Sequence, residues 1–231
     1  AGCSGTGSWL VEMLARLGIG EFVLVDPDVV KKKNLNRIIN ATHADADAEI
    51  AKVVVMERAI MAMGFGSKVT VYQKDLRRPD VVRALAGCDL SFGGLDSADG
   101  RDILNRICAF YCLPYFDAGV RLDADGQGGV KYVGGACHYL QPGGSSLLSR
   151  NVISSDGIAA DSLHRSDPEE YARRRQAGYI RNVAVESPAV CSVNGLYASL
   201  TVNDFLARLH RFRDEDNADS DAQFLNLSGN Y

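Results

Sequence analysis

The hydrophobic residues in the first half of the chain alternate between helical and strand-like spacing. Leu10, Val11, Leu14 and Leu17 recur every three or four positions, which predicts an amphipathic helix that ends near Gly18. Short apolar runs predict buried strands over residues 22–25, 69–72, 89–94 and 114–119, with helices over about 47–63, 79–86 and 99–112. This alternation predicts an α/β fold of the Rossmann-like, doubly wound type, with a mostly parallel sheet and helices on both faces.

The pattern changes after residue 119, where we expect a C-terminal β/α extension. A strand pair or one bent strand is predicted over 130–140, helices over 167–177 and 190–209, and a last strand over 224–227. Residues 142–166 are polar, rich in glycine and serine, and without periodicity. They are therefore predicted to form a long, mobile crossover loop above an active site. The acidic residues 214–221 are predicted to be a surface turn or a short disordered link.

Candidate chemistry is concentrated at the start of the chain, in the segment 2–8 with the sequence GCSGTGS. A glycine-rich turn that leads into a helix presents backbone N–H groups to a phosphate. Such a turn is normally fed by a strand, so we expect further residues ahead of Ala1. Asp26 ends the next strand, where a nucleotide-binding βαβ unit places its ribose contact. These features fit a nicotinamide cofactor as well as ATP, and Ser4 replaces the middle glycine of the usual pattern.

The composition indicates a globular protein and gives no sign of a nucleic-acid-binding or membrane-spanning one. The 231 residues are 46% hydrophobic and 23% charged, which is typical of a folded globular chain. A net charge of -4 gives no reason to expect nucleic acid, and no apolar run is long enough to cross a membrane. The six cysteines include no CxxC pair, so no zinc is expected, and unpaired cysteines suit a cytoplasmic location.

Several motifs, taken in order, resemble those of one family. They are the glycine turn, Asp26 and Asp28 within LVDPD, Asn34 and Arg37 within NLNR, Lys52, and Asp96 with Arg101. The segment 187–195 also looks like the start of the family's last long helix. The chain is thereby similar to the adenylyltransferases of the ThiF/MoeB/HesA type, which share their fold with the adenylation domains of ubiquitin-activating enzymes. The resemblance covers nearly the whole chain.

The resemblance implies one ATP-binding adenylation domain over 1–231, with a nucleotide-binding half (1–119) and a substrate-side half (120–231). It implies that Asp26 holds the ribose, that Asn34, Arg37 and Lys52 contact the phosphates, and that Asp96 holds Mg²⁺. The full set of implied nucleotide-binding residues is Gly2, Ser4, Gly5, Gly7, Asp26, Asp28, Asn34, Arg37, Lys52 and Asp96, of which Arg37, Lys52 and Asp96 are the catalytic candidates. Lys52 follows Arg37 at a slightly longer spacing than in the family, which predicts a longer loop before its helix. Without the resemblance, Arg37 could be a surface residue and Asp96 a helix cap.

The implied reaction is attack of a substrate carboxylate on the α-phosphorus of ATP, giving an acyl-adenylate and pyrophosphate. The carboxylate is already ionised at neutral pH, so the reaction needs cations and a metal ion rather than a general base. The four histidines, His43, His138, His164 and His210, are accordingly expected to be surface or hydrogen-bonded residues. The resemblance favours the C-terminus of a ubiquitin-like or sulfur-carrier protein as the substrate. A peptide, or a carboxylate on a small molecule or a tRNA base, stays open, and a homodimer is expected.

The chain also departs from the family pattern. Residues 145–186 contain no cysteine, so we expect no stable enzyme thioester.

Two other functions stay open at this point. An NAD(P)-dependent oxidoreductase would use the glycine turn and Asp26 but would leave Arg37, Lys52 and Asp96 without roles. A non-catalytic subunit that binds a ubiquitin-like protein would keep the fold but would not need Arg37 or Asp96.

Overall fold

The strands form two hydrogen-bonded sheets that meet at the glycine turn. The computed structural model describes residues 1–124, 127, 129–180 and 190–229. The elements in chain order are α1 (Gly5–Arg16), β1 (Glu21–Val25), α2 (His43–Asp47), α3 (Lys52–Met63), β2 (Lys68–Tyr72), α4 (Pro79–Ala86), β3 (Ser91–Gly93), α5 (Ala98–Phe110), β4 (Tyr115–Ala124), β5 (Val130–Leu140), α6 (Ser155–Ser166), α7 (Pro168–Gln176), α8 (Cys191–His210) and β6 (Ala222–Asn226).

One sheet pairs β1 with β2 in parallel, and the other has the order β3-β4-β5-β6. The β3–β4 pair is parallel, whereas β4–β5 and β5–β6 are antiparallel. The Ala1–Gly2 segment lies between the two sheets. Gly2 donates its N–H to the Val25 carbonyl (2.8 Å), and Gly94 donates to the Ala1 carbonyl (3.0 Å). The strand pairs β1–β2 and β3–β4 are therefore parallel as predicted, whereas the pairs of the C-terminal extension are antiparallel.

Hydrophobic cores lie on both faces of the sheets. On one face α1, α3 and α8 pack over β1 and β4, with Leu10, Met56 and Phe205 among the buried residues. On the other face α4 and α5 pack through residues such as Leu85 and Leu104. Successive strand residues point to opposite faces, so Phe22 and Leu24 join the first core while Val25 joins the second. The doubly wound α/β prediction is confirmed.

Several predicted boundaries are wrong. The helix expected over 47–63 starts at Lys52, because Thr42 and Asp45 cap a separate helix, α2, which is followed by a left-handed residue, Glu49 (φ 49°). Helix α2 and Glu49 thus occupy the segment between Arg37 and Lys52, where a longer loop was expected. Residues 155–166 form α6 rather than loop, and β5 is one continuous strand. Residues 217–219 form a short exposed 3₁₀ turn, which agrees with the surface turn expected there and not with the alternative of a disordered link.

Candidate nucleotide-binding site

The glycine turn packs backbone against backbone, which excludes side chains. Gly2 has φ +79°, a left-handed conformation that favours glycine. A Cβ on Gly7 would lie 1.8 Å from the Gly2 carbonyl oxygen, and a Cβ on Gly94 would lie 2.7 Å from the Gly7 nitrogen. The turn therefore needs glycine at these three positions. The result is a bare backbone cradle between the carboxyl ends of β1 and β3, which is where open α/β sheets bind ligands.

The start of α1 adds a local positive charge to this cradle. The first turn of a helix leaves backbone N–H groups without intrahelical acceptors. Ser4 occupies the N-cap position, but its side chain makes no capping hydrogen bond. The N–H groups of Gly5, Thr6 and Gly7 thus belong to an uncapped helix start, which suits an anion such as phosphate.

Asp26 anchors the turn to the end of β1. Its carboxylate accepts hydrogen bonds from the N–H groups of Cys3 (2.7 Å) and Asp28 (2.9 Å). The residue is only 5% exposed. Burial raises the pKa of the Asp26 carboxyl, and the nearby Lys52 and the two N–H groups oppose that shift. The predicted ribose residue therefore also holds the conformation of the glycine turn.

Lys52 joins the same cluster from the first turn of α3. Its Nζ lies 2.6 Å from Asp28 Oδ2 and 3.7 Å from Asp26 Oδ1. Its backbone N–H also donates to the Asp28 carbonyl (3.0 Å). The Lys52 side chain is 7% exposed, whereas that of Asp28 is 64% exposed. The structure thus gathers Asp26, Asp28 and Lys52 beside the glycine turn, as the resemblance implied.

The segment with Asn34 and Arg37 lies along α1. Ile39 donates its N–H to the Ser8 hydroxyl (3.3 Å), and Asn40 donates to Glu12 Oε2 (2.8 Å). The Asn34 side chain is buried, and its oxygen accepts the Lys31 N–H (3.1 Å). The partly exposed Arg37 guanidinium donates to the Lys33 carbonyl (2.9 Å) and to Asn36 Oδ1 (3.2 Å). Arg37 therefore bonds to its own segment and not to the Asp26–Lys52 cluster.

Asp96 is exposed in the loop after β3, and this loop touches the glycine turn. A Cβ on Gly2 would lie 2.8 Å from the Gly94 carbonyl oxygen, which shows how closely the two backbones approach. Ser97, not Asp96, is the N-cap of α5, since its hydroxyl accepts the Gly100 N–H (3.2 Å). The helix-cap alternative for Asp96 is therefore wrong, and its carboxylate makes no hydrogen bond or ion pair with the residues that the structure describes.

The donor chemistry of the site fits Mg·ATP. Mg²⁺ bound with a nucleotide needs one or two carboxylates, because phosphate oxygens and water supply the remaining ligands. Asp96 can provide such a carboxylate beside the cradle. Within the described residues, no group of three or more His, Cys, Asp or Glu side chains is arranged to hold a metal ion by itself.

A group of residues behind Asp96 was missed by the sequence analysis. Asp161 of α6 accepts the N–H of Ala98, the first residue of α5, at 2.6 Å. Arg165, one turn further along α6, reaches Asp99 Oδ2 at 3.1 Å. Arg77, which follows β2, donates to the same oxygen at 2.8 Å. Asp161 and Arg165 are four residues apart, a spacing that places both on one face of a helix. This spacing could have indicated a helix within residues 142–166, which were predicted to be a loop.

Arg101 forms an ion pair with a buried carboxylate and is not part of the glycine cradle. Its guanidinium binds the fully buried Asp117 with two hydrogen bonds, and Tyr115 donates to the same carboxylate at 2.7 Å. Burial raises the pKa of Tyr115 well above its usual value.

His138 lies across from Asp117 on β5 and is buried, and among the described residues its Nδ1 has no hydrogen-bond acceptor or donor. The expectation of a surface or hydrogen-bonded His138 is wrong at that atom.

Comparison with known proteins shows the family to which the chain is similar. A family model described as ThiF family matches residues 1–230. The SAMP-activating enzyme E1 of Haloferax volcanii is 30% identical over 139 residues, which cover 59% of this chain and 50% of that protein. The ubiquitin-like modifier-activating enzyme 5 of Drosophila persimilis is 26% identical over 186 residues, covering 70% of this chain and 46% of that protein. The chain thus spans about half the length of these curated relatives.

Solved structures agree on the fold. The crystal structure of E. coli MccB with ATP superposes with a TM-score of 0.66 at 19% identity, covering 94% of this chain and 56% of that one. Among the described residues, no helix combines the length and apolar content needed to cross a membrane.

Proposed function

The chain belongs to the ThiF family, and we propose that it uses ATP to activate a substrate carboxylate as an acyl-adenylate with release of pyrophosphate. One observation carries the proposal. Three features converge at the carboxyl ends of β1 and β3: the glycine cradle, the Asp26–Lys52 cluster and the Asp96 loop. Within the cluster, the polar atoms lie 2.6–3.7 Å apart.

Each residue has a role in this proposal. The backbone of Gly2, Gly5 and Gly7, with Ser4 at the helix start, would lie against the phosphates. Asp26 would take the ribose hydroxyls with its remaining acceptor capacity while it holds the turn, and Asp28 would orient Lys52. Asp96 would hold the Mg²⁺ ion, which would supply positive charge near the phosphates. Fixed positive charge of this kind contributes several kcal/mol, or about 10²–10³ in rate per group.

The cationic side chains of the chain would stabilise the remaining negative charge on the phosphates. Lys52 lies 2.6 Å from Asp28, and its ammonium group would donate a further N–H to a phosphate oxygen while Asp28 orients it. Arg37 would rotate away from the Lys33 carbonyl, and Asn34 would contribute its amide. The substrate arrives as an anion, so no residue has to remove a proton from it. The absence of a histidine among the proposed site residues agrees with this chemistry.

We further propose that the substrate is the C-terminal carboxylate of a ubiquitin-like or sulfur-carrier protein. The names of the relatives, which refer to SAMP and to ubiquitin-like modifiers, support this class. Residues 1–119 would bind the nucleotide and residues 120–231 the substrate, in one domain that forms a homodimer. The lack of cysteine over 145–186 supports adenylation without an enzyme thioester.

The first experiment is calorimetric titration of the chain with Mg·ATP and with NAD⁺, followed by ATP–pyrophosphate exchange with candidate carboxylate substrates. We expect saturable binding of Mg·ATP, and we expect Asp96→Ala to weaken it. Glu21→Gln, an exposed change at the start of β1, is the matched control. Binding of NAD⁺ in place of ATP would contradict the proposal and favour an oxidoreductase. Failure of both ligands to bind would favour the non-catalytic subunit.

A further inference from the structure

The Asp96 loop is held from two sides. On one side Gly94 and Leu95 pack against the glycine turn. On the other side the chain turns at once into α5, whose first residues are bonded to α6. Asp96 itself is exposed, so its position depends on how firmly the residues on either side are fixed.

The contact between α6 and α5 is specific. Asp161 accepts the Ala98 N–H at 2.6 Å, two residues after Asp96. This N–H lies at the start of a helix and has no acceptor inside α5. The carboxylate therefore acts as a cap supplied from 63 residues away. A negative charge here is also favoured by the dipole of α5.

Arg165 reinforces this contact on the same face of α6. It lies 3.1 Å from Asp99, whose side chain is 8% exposed. Arg77 approaches Asp99 from the end of β2 at 2.8 Å. One carboxylate in the first turn of α5 is thus bonded to two other elements. Charged hydrogen bonds of this kind are directional, so they fix the orientation of that turn.

We propose that Asp161, assisted by Arg165, is a positioning residue that fixes the Asp96 carboxylate for its magnesium ion. The inference rests on the proposed function. It adds a role for α6, which belongs to the substrate-side half of the chain. Groups that orient a metal ligand also affect metal affinity, and their loss typically costs about 10–100-fold.

The test is calorimetric affinity for Mg·ATP and for ATP in EDTA, measured on wild type, Asp161→Ala, Asp161→Asn and Asp156→Ala. Asp156 is an exposed acid of the first turn of α6 and serves as the matched control. We expect Asp161→Ala to lower Mg·ATP affinity by about tenfold and to leave metal-free ATP binding unchanged. Asp161→Asn should restore most of the affinity, because its amide oxygen can still accept the Ala98 N–H.

Amide hydrogen exchange at Ala98 provides a readout that needs no nucleotide. Exchange should accelerate in Asp161→Ala and not in Asp156→Ala. Accelerated exchange with unchanged Mg·ATP affinity would overturn the positioning role and leave only a structural contact. Equal loss of affinity in the Asn and Ala variants would also overturn it, because charge and not geometry would then be responsible. Failure of the wild type to bind Mg·ATP is a separate result, which would refute the proposed function together with this inference.

Discussion

Cys3 donates its backbone N–H to the Asp26 carboxylate at 2.7 Å, so a buried charge joins the end of β1 to the glycine turn. A second N–H, from Asp28, binds the other oxygen. The turn is thus shaped by a residue 23 positions further along the chain.

Replacing Asp26 with Asn should destabilise the fold as well as the site. The amide presents an N–H₂ group to one of the two backbone donors, and Lys52 loses a nearby charge. We expect the free energy of unfolding to fall by about 1.5–3 kcal/mol, the range for hydrogen bonds to charged groups. Urea denaturation measures this, with Glu21→Gln in the same strand as control. A loss equal to that of the control would mean that the carboxylate does not hold the turn.

Gly7→Ala should disrupt the glycine turn. Its Cβ would lie 1.8 Å from the Gly2 carbonyl oxygen, so the backbone must move. We expect a destabilisation of about 3 kcal/mol or more, with loss of Mg·ATP binding. Gly20→Ala is the matched control, because no atom lies within 4 Å of a Cβ at that position. Thermal unfolding compares the two, and similar melting temperatures would contradict the packing described.

The contact between Asp45 and Arg58 should make stability depend on pH. Arg58 binds the Asp45 carboxylate at 2.7 Å and holds its pKa well below the usual range. A lowered pKa in the folded state stabilises the protein above the unfolded pKa of about 3.9, and the stabilisation is lost as pH falls through the folded value. Asp45→Asn should therefore be less stable than wild type at pH 7, and the difference should shrink as the pH falls below about 4.

The control for this prediction is Asp47→Asn. Asp47 belongs to the same helix but pairs with the exposed Lys32 at 2.8 Å, and such surface pairs contribute little. Unfolding by urea at several pH values distinguishes the two variants. A pH-independent difference between Asp45→Asn and wild type would refute the assignment.

The cysteines should differ in reactivity. Cys112 is exposed, whereas Cys3, Cys108 and Cys137 are buried. Burial raises the pKa of Cys3 and Cys137 to about 12, so little thiolate forms there at neutral pH. Alkylation of the native chain, followed by mass spectrometry, should label Cys112 first, and Cys112→Ser should remove the fastest step. Rapid labelling of Cys3 would indicate that the glycine turn opens.

The local parts of the site could be predicted from sequence. The glycine turn, Asp26 and the strand β1 before it are encoded within short segments, where spacing and residue type determine the conformation. Asp28 and Lys52 followed from the family resemblance. The sequence did not indicate that Cys112 is exposed, because its left-handed conformation (φ 58°) after α5 has no glycine to announce it.

The parts that depend on distant contacts could not be predicted. Helix α6 has few apolar positions, and its stability comes from the Ser154 cap and from its bonds to α5. Asp161 reaches across 63 residues, a relationship that no periodicity within α6 reveals. The same holds for Arg101, because its binding to Asp117 requires α5 and β4 to be packed together first.

The placement of Ala1 and Gly2 has a consequence for cooperativity. These residues hydrogen-bond to β1 on one side and to β3 on the other, so the glycine cradle is also the place where the two sheets join. A ligand bound there would tighten both sheets at once, and its binding energy would add to the stability of the whole domain rather than to one lobe. Saturating nucleotide should then shift one unfolding transition upward, without separating it into two.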